Sequence, residues 1–169
     1  MARLPERKHT RLKSYDYSRD GAYFVTICAA DNRCLFAHVR VGGGVLDAPW
    51  VTLTKYGMAI KERLEEMNRV YGHVALLKYV IMPNHIHILL QVEDGPSGTP
   101  APTERDRANQ TIPAFVSMLK RMTNRTCGVP LWQRGYHDHV VRNEADYLRI
   151  WNYIDANPAK WAEDKYYVP

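Results

Sequence analysis

The sequence predicts an α+β domain in which helices cover an antiparallel sheet, in the split βαβ, ferredoxin-like arrangement. Segments with strand and helix patterns follow one another in the order strand, helix, paired strands, helix, strand, helix. The paired strands meet at Pro83-Asn84, a turn signal that indicates an antiparallel hairpin. The chain has 169 residues, which fits one domain with a sizeable core. We expect a basic, irregular arm over residues 1–20 and a single folded domain over residues 21–169.

The first half of the chain contributes a strand, a hairpin and a helix. Residues 22–28 are mostly β-branched and aromatic, which favours a strand. Residues 39–46 predict a hairpin around the glycines at 42–44. A helix is expected from Thr54, because apolar residues then recur at helical spacing until Gly72 gives a stop signal.

Two long strands and a second helix are predicted in the middle of the chain. Residues 73–80 and 85–92 are the strands on either side of the turn named above. The stretch 93–109 is rich in glycine and proline and predicts a loop. The second helix is expected near Thr111, a good N-cap, and Gly128 marks its end.

The C-terminal part of the chain predicts a short strand at residues 137–141 and a final helix. Asn143 is the expected N-cap of this helix. Asp146, three residues later, would reciprocate as in a capping box. Apolar residues recur at helical spacing from this point until Pro158 ends the helix.

Composition indicates a compartment for the protein. No apolar stretch reaches the length of a membrane span, and the first residues lack the apolar core of a signal peptide. The three cysteines are scattered and form no Cys-x-x-Cys pair, which is typical of a reducing compartment. We therefore expect a cytoplasmic protein without a membrane partner.

The charge of the chain favours anionic partners, nucleic acid first. The net charge is +5 and the pI is about 9.1. Basic residues form two groups, one at the N-terminus and one in a stretch without acids between residues 108 and 134. These groups comprise Arg3, Arg7, Lys8, Arg11 and Lys13, and then Lys120, Arg121 and Arg125. A solvated basic surface that binds no nucleic acid is the alternative interpretation.

His85-Ile86-His87 is the most informative short motif of the chain. Residues two apart on a strand share a face, so His85 and His87 project together while Ile86 points the other way. Two adjacent imidazoles, in a segment that otherwise favours burial, are typical of two ligands of one divalent metal ion. The alternative is a pair of half-exposed histidines on a polar sheet face.

The final helix carries Tyr153 and Asn157 on one face, because residues four apart are neighbours on a helix. Tyr153 lies about 100° from the centre of the apolar stripe, at the edge of the buried side. A phenol in that position can face a cleft. Ordinary packing is the alternative, because the chain has 11 tyrosines.

Four motifs, in this order, resemble a known family. They are Tyr15-Asp-Tyr-Ser-Arg-Asp-Gly-Ala-Tyr-Phe-Val-Thr-Ile-Cys28, Met82-Pro-Asn-His-Ile-His87, Tyr136-His-Asp-His-Val-Val-Arg-Asn143 and Tyr153-Ile-Asp-Ala-Asn-Pro158. Together they resemble the HUH single-tyrosine transposases of small insertion sequences, most closely the REP-associated tyrosine transposases. The resemblance runs from about residue 11 to residue 161, and the fold of that family is also ferredoxin-like.

The resemblance implies an enzyme that cleaves and rejoins single-stranded DNA, at or near hairpins, with residues 21–169 as the catalytic domain. It implies that His85 and His87 bind a divalent metal ion, Mg²⁺ or Mn²⁺, and that Tyr153 is the nucleophile. Relatives place a polar side chain, often glutamine, one turn after the tyrosine as a further ligand, and here that residue is Asn157. Insertion-sequence relatives tend to be dimers that exchange the tyrosine helix, whereas the domesticated branch includes monomers. A homodimer is therefore one expectation and a monomer the other, and both leave open whether Tyr153 works in its own subunit.

The resemblance and the charge pattern also suggest DNA contacts and leave alternatives open. The candidate DNA-binding residues are Arg11, Lys13, Lys120, Arg121, Arg125, Arg134, His139 and Arg142. Trp132 and Tyr136 beside Arg134 are candidates for stacking on unpaired bases, with a core role as the alternative for Trp132. A domesticated relative that binds DNA hairpins with little cleavage is the second hypothesis. A small-molecule metalloenzyme that adds His137 or His139 to the histidine pair is the third.

Overall fold

The computed structural model describes residues 15–40, 49–93 and 110–168. Four strands form an antiparallel sheet with the spatial order β4-β5-β1-β6. Two shorter strands, β2 and β3, pair with each other in a separate antiparallel ribbon. The strands are β1 (Gly21–Cys28), β2 (Ala37–Arg40), β3 (Trp50–Leu53), β4 (Val74–Ile81), β5 (His85–Val92) and β6 (His137–Val140).

Three helices cover the two faces of the sheet. Helices α1 (Lys55–Val70) and α2 (Thr111–Cys127) pack together over one face, and α3 (Glu144–Ala156) covers the other. Strand β5 shows why the faces differ. Its alternate residues Ile86, Ile88 and Leu90 enter the core beneath α1 and α2, whereas Leu89 packs against α3. His85 and His87 share the face of Leu89.

The predicted fold class is confirmed. The order β1, α1, β4, β5, α2, β6 is the split βαβ arrangement, with β1 and β5 at the centre of the sheet. Helix α3 is an addition on the second face. The predicted strand over residues 85–92 matches β5, and the other sheet strands agree to within one residue at each end.

Local capping chemistry explains where the helices begin and end. The Thr54 hydroxyl accepts the backbone N–H groups of Tyr56 and Gly57 at the start of α1. Gly128 adopts φ 68° at the end of α2, in the left-handed region that glycine enters without strain. The Asn143 side chain accepts the Asp146 N–H at 2.9 Å and so caps α3.

Two cap predictions, those for Asp146 and Thr111, were wrong. The Asp146 carboxylate does not accept the backbone N–H of Asn143 as a capping box would require. It instead accepts the Arg142 N–H and contacts His139 and Arg149. Thr111 is the first residue of α2 rather than its N-cap, and Gln110 occupies the cap position without a side-chain cap bond. The Gln110 side chain accepts the N–H of Tyr17 instead.

The predicted hairpin over residues 39–46 is displaced. The chain does turn back on itself, but β2 already begins at Ala37 and its partner begins only at Trp50. The proposed tip at the glycines 42–44 lies outside the described residues, because residues 41–48 are not among them. Residues 1–14 with Arg11 and Lys13 and most of the predicted loop, residues 94–109, lie outside them too. Across the described parts of the chain, no helix has the length and apolar character needed to cross a membrane.

Candidate metal and nucleophile site

The two histidines of β5 form a buried pair. His85 is 0% exposed and His87 is 1% exposed. Their Nε2 atoms lie 3.0 Å apart. The alternative of two half-exposed histidines on a polar sheet face is therefore wrong.

Each imidazole is oriented by a hydrogen bond at its other nitrogen. The Asn84 Oδ1 lies 2.9 Å from His85 Nδ1, and the Thr26 Oγ1 lies 2.8 Å from His87 Nδ1. Thr26 is the cross-strand partner of His87 in the β1–β5 register, so the sheet itself sets this contact. Asn84 is fixed in turn, because its Nδ2 donates to the carbonyl oxygens of Asn32 and Tyr166. Such outer contacts orient histidine ligands in metal sites and leave both Nε2 atoms directed at one point.

Burial keeps both histidines neutral at neutral pH. Burial lowers the pKa of His85 to about 4, opposed by the nearby Asp164 carboxylate and helped by Lys165. Burial likewise holds the pKa of His87 well below its usual range, and the neighbouring His85 lowers it further. Neutral imidazoles offer the lone pairs that a metal ion requires.

Asp164 adds a carboxylate that the sequence analysis missed. One ligand atom each from His85, His87 and Asp164 lie within 4.8 Å of one another. Asp164 Oδ2 is 4.0 Å from His85 Nε2, and its side chain is almost fully buried. Two imidazoles and one carboxylate suit a divalent ion such as Mn²⁺ and leave positions for substrate oxygens. The residues present therefore fit the metal that the family resemblance implies.

Asn157 lies beside this carboxylate. Its Nδ2 donates to Asp164 Oδ2 at 2.9 Å, and Tyr166 N donates to Asp164 Oδ1 at 2.8 Å. The Asn157 Oδ1 atom is buried without a hydrogen-bond partner among the described residues. An unpaired buried carbonyl is costly unless a further group satisfies it.

Tyr153 projects from α3 toward the histidine pair of its own chain. Its hydroxyl lies 3.3 Å from His87 Nε2 and 3.5 Å from Asp164 Oδ2. The residue is 38% exposed, as its position at the edge of the apolar stripe predicted. Burial raises the pKa of the phenol, and the Asp164 charge raises it further, so the hydroxyl carries its proton at neutral pH.

An open cleft of about 470 Å³ lies in front of the tyrosine. Besides Tyr153, Asn157 and Asp164, its walls include Lys160 and Lys165. The Lys165 ammonium lies 4.6 Å from the ring centre of Tyr166, whose ring packs 4.6 Å from that of His85. With Glu163, which also lines it, the cleft thus joins a hydroxyl, two carboxylates and two cations.

Few apolar contacts hold α3 in place. Only Ile150 and Ile154 of this helix are buried, against Leu89 of β5. Lys78 of β4 adds a polar link, because its ammonium bonds Asp155 at 2.7 Å and lies 3.9 Å from the ring centre of Trp151. The position of Tyr153 depends on both sets of contacts.

The predicted basic residues of α2 do not come to this site. Helix α2 lies on the opposite face of the sheet, where Arg121 and Arg125 are exposed. The Lys120 ammonium donates to the carbonyl oxygens of residues 133, 134 and 135 and so holds that loop. DNA contacts by these three residues stay a prediction.

The remaining predicted DNA-binding residues among those described are Arg134, His139 and Arg142. They lie between the end of α2 and the start of α3. Arg134 is exposed in the loop that Lys120 holds. His139 Nε2 lies 2.7 Å from the Asp146 carboxylate, and the Arg142 N–H bonds the same carboxylate. In the described part of the chain, the group of candidate ligands around His85 includes neither His137 nor His139. The metalloenzyme hypothesis therefore loses its proposed third ligand.

The two aromatic residues suggested for base stacking belong to the core. Trp132 and Tyr136 are both buried. The Trp132 Nε1 donates to Thr123 Oγ1 at 2.8 Å, and its ring packs 4.8 Å from that of Phe36. The stacking interpretation is wrong for both residues.

Comparisons with known proteins agree with this geometry. No protein-family model matches the sequence. The chain is 31% identical over 182 residues to a Haemophilus influenzae protein named only as uncharacterized, with 99% of this chain and 96% of that protein covered. Its structure matches that of a REP-associated tyrosine transposase bound to a REP hairpin, with a TM-score of 0.60 at 18% identity, over 93% of this chain and 74% of that chain.

A weaker structural match is a Deinococcus radiodurans R1 protein described as a candidate transposase. Its TM-score is 0.46 at 18% identity, over 86% of this chain and 96% of that chain. The chain belongs to the same family as the Haemophilus influenzae protein, and its fold is that of the REP-associated tyrosine transposase.

Proposed function

We propose that the protein is a metal-dependent endonuclease and strand transferase that cuts single-stranded DNA at or near hairpins, with Tyr153 as its nucleophile. One observation carries the proposal. The Tyr153 hydroxyl lies 3.3 Å from Nε2 of His87, where two buried imidazoles and a carboxylate converge. The four sequence motifs and the fold of a transposase bound to a REP hairpin support the same function.

The proposed ligands are Nε2 of His85, Nε2 of His87 and a carboxylate oxygen of Asp164. A divalent ion bound there supplies positive charge that polarises the scissile phosphate and favours the phenolate form of the nucleophile. The sequence analysis gave the third position to Asn157. The hydrogen bond from Asn157 to Asp164 favours Asn157 as the residue that holds this carboxylate, with its unpaired Oδ1 as a further ligand atom.

Tyr153 would act by attack of its phenolic oxygen on phosphorus. The phenol loses its proton, a bond from its oxygen to phosphorus forms, and the bond from phosphorus to the 3′ oxygen breaks. The leaving oxygen takes up a proton and becomes a free 3′-OH, while the 5′ phosphate stays on the tyrosine. The 3′-OH of another strand reverses the step, so joining needs no ATP.

Two cleft lysines fit the substrate of this reaction. Lys160 and Lys165 line the same cavity as Tyr153. Cationic side chains are the usual partners of DNA phosphates. Neither lysine belongs to the basic groups that the sequence pattern singled out.

A covalent-adduct assay tests the proposal. The full chain is incubated with labelled hairpin oligonucleotides from its own genomic neighbourhood and Mn²⁺ or Mg²⁺, then run on denaturing gels. We expect a shifted band that requires both the metal and Tyr153. Tyr153→Phe should lose the band and keep hairpin binding, whereas Tyr147→Phe on the same helix should keep both.

Three outcomes would contradict parts of the proposal. An unchanged adduct with Tyr153→Phe would exclude this residue as the nucleophile. Cleavage in EDTA would exclude the role of the metal. Binding without any adduct, on every hairpin tested, would favour the domesticated relative that binds DNA and does not cut it.

A further inference from the structure

The ribbon formed by β2 and β3 has no role in the proposed reaction. It is inserted between β1 and α1 and does not join the main sheet. Its cross-strand pairs run from Ala37 opposite Leu53 to Arg40 opposite Trp50. At about 3.3 Å per residue, the outer pair stands roughly 10 Å from the inner one. The ribbon is therefore a short arm with a defined face.

The base of the arm is firmly attached. Phe36 is fully buried, and its N–H donates to the carbonyl oxygen of Pro83 at 2.8 Å. Thr54 anchors the end of β3. Its N–H donates to the Phe36 carbonyl oxygen, and its hydroxyl donates to the Leu35 carbonyl oxygen. Pro83 directly precedes Asn84, which orients His85. The arm thus begins at the turn that supports the histidine pair.

The two faces of the arm differ in chemistry. Side chains alternate between the faces of a strand, and directly paired residues share a face. Ala37, Val39, Val51 and Leu53 are buried or half-buried on the inner face. The outer face presents His38, Arg40, Trp50 and Thr52, all exposed.

The outer face combines an aromatic ring with positive charge. Trp50 is 53% exposed, the most exposed aromatic side chain among the described residues. It lies directly across from Arg40, which makes no ion pair with any described residue. An aromatic ring beside a cation is the combination by which proteins hold single-stranded nucleic acid.

We propose that the outer face of this arm binds a single-stranded stretch of nucleic acid. A base stacks on Trp50, and Arg40 contacts a neighbouring backbone phosphate. This proposal deepens and rests on the proposed function, because it assigns the arm to the unpaired strand that flanks the cleaved position. The face is too narrow and too polar for a stable apolar interface with another protein.

The test measures binding rather than cleavage. The full chain carrying Tyr153→Phe is titrated with fluorescent oligo-dT, a single strand that forms no hairpin, over a series of salt concentrations. In this background Trp50→Ala should weaken binding about tenfold, and Trp50→Phe should retain most of the affinity. Arg40→Gln should reduce the slope of log K against log salt by about 0.7 for one lost phosphate contact.

Matched controls lie at the far end of α1. Val70→Ala removes an exposed apolar side chain, and Arg69→Gln removes an exposed cation. Both should leave the affinity unchanged, and thermal melts establish that every variant is folded.

Two results would overturn the proposal. One is an affinity and a salt slope for the Trp50 and Arg40 variants equal to those of the controls. The other is a loss of self-association in light scattering with Trp50→Ala while oligo-dT affinity persists, which would assign the arm to contact between copies of the chain. Failure of the adduct assay alone leaves these binding measurements interpretable, so the two proposals are tested separately.

Discussion

The hydrogen bond behind His87 allows a quantitative test of the metal site. Thr26→Val keeps a β-branched side chain of similar size and removes the hydroxyl that lies 2.8 Å from His87 Nδ1. If Nε2 binds the metal, Nδ1 carries the proton and donates it to Thr26. The substitution therefore removes the hydrogen-bond acceptor of the Nδ1–H group, in the tautomer whose Nε2 is free to bind metal.

The size of the effect follows from burial. Thr26 is 4% exposed and His87 is 1% exposed, so water has little access to the N–H that loses its acceptor. An unsatisfied buried donor costs about 1–3 kcal/mol. At about 1.4 kcal/mol per factor of ten, this predicts a loss of metal affinity of about 5- to 140-fold. The range overlaps the 10- to 100-fold effects typical of outer-shell substitutions.

The assay is calorimetric titration of the protein with Mn²⁺ at constant pH. Thr123→Val is the matched control, because Thr123 is a fully buried threonine on the other side of the sheet that accepts the Trp132 N–H. It should lower thermal stability and leave Mn²⁺ affinity unchanged. Adduct formation by Thr26→Val should fall at low Mn²⁺ and recover at saturating Mn²⁺. An Mn²⁺ affinity within twofold of the parent protein, in a folded Thr26→Val variant, would refute this account of the site.

Three further predictions test the packing, the charge network and the subunit arrangement. Gly57→Ala should lower the free energy of unfolding by about 2–3 kcal/mol in denaturant titrations, despite the better helix propensity of alanine, because a β-carbon would overlap the Phe36 carbonyl oxygen. Hydrogen bonds from His139 and Arg149 hold the pKa of Asp146 well below its usual range. The stability difference between parent protein and Asp146→Asn should thus shrink as pH falls below about 4; a difference that grows in acid contradicts the network. Since Tyr153 contacts His87 of its own chain, mixing Tyr153→Phe with His87→Ala should restore no adduct, and restored activity would indicate exchange of α3 between subunits.

The sheet and the histidine pair were predictable because they follow from local patterns. Alternation along residues 85–92 sets which face each side chain occupies, and a central strand leaves no freedom to shift the register by one residue. Asn143 caps α3 as expected, because a cap needs only its own first turn. The same reasoning placed Tyr153 at the edge of the buried face of α3.

The rest of the site depends on contacts that no local pattern reveals. Asp164 follows α3 in a segment without periodicity, and a short 3₁₀ turn at Trp161–Glu163 brings it back to the histidines. In the sequence, Asp164 is only an acid near the C-terminus with Lys160 before it and Lys165 after it. Lys120 is a second example. A cluster of cations in the sequence singled it out, but no local pattern indicated that its ammonium donates to backbone carbonyls of the loop at residues 133–135.

The histidine pair on β5 and Tyr153 on α3 are held in place by different kinds of contact, which matters for the proposed chemistry. His85 and His87 sit on a central strand bonded on both sides, with a second hydrogen bond behind each ring. Tyr153 sits on a helix with two buried side chains and a polar link through Lys78. Local opening requires least free energy where few apolar contacts are lost. The two histidines therefore lie on the more firmly held half of the site, and Tyr153, the proposed nucleophile, lies on the helix with fewer buried side chains.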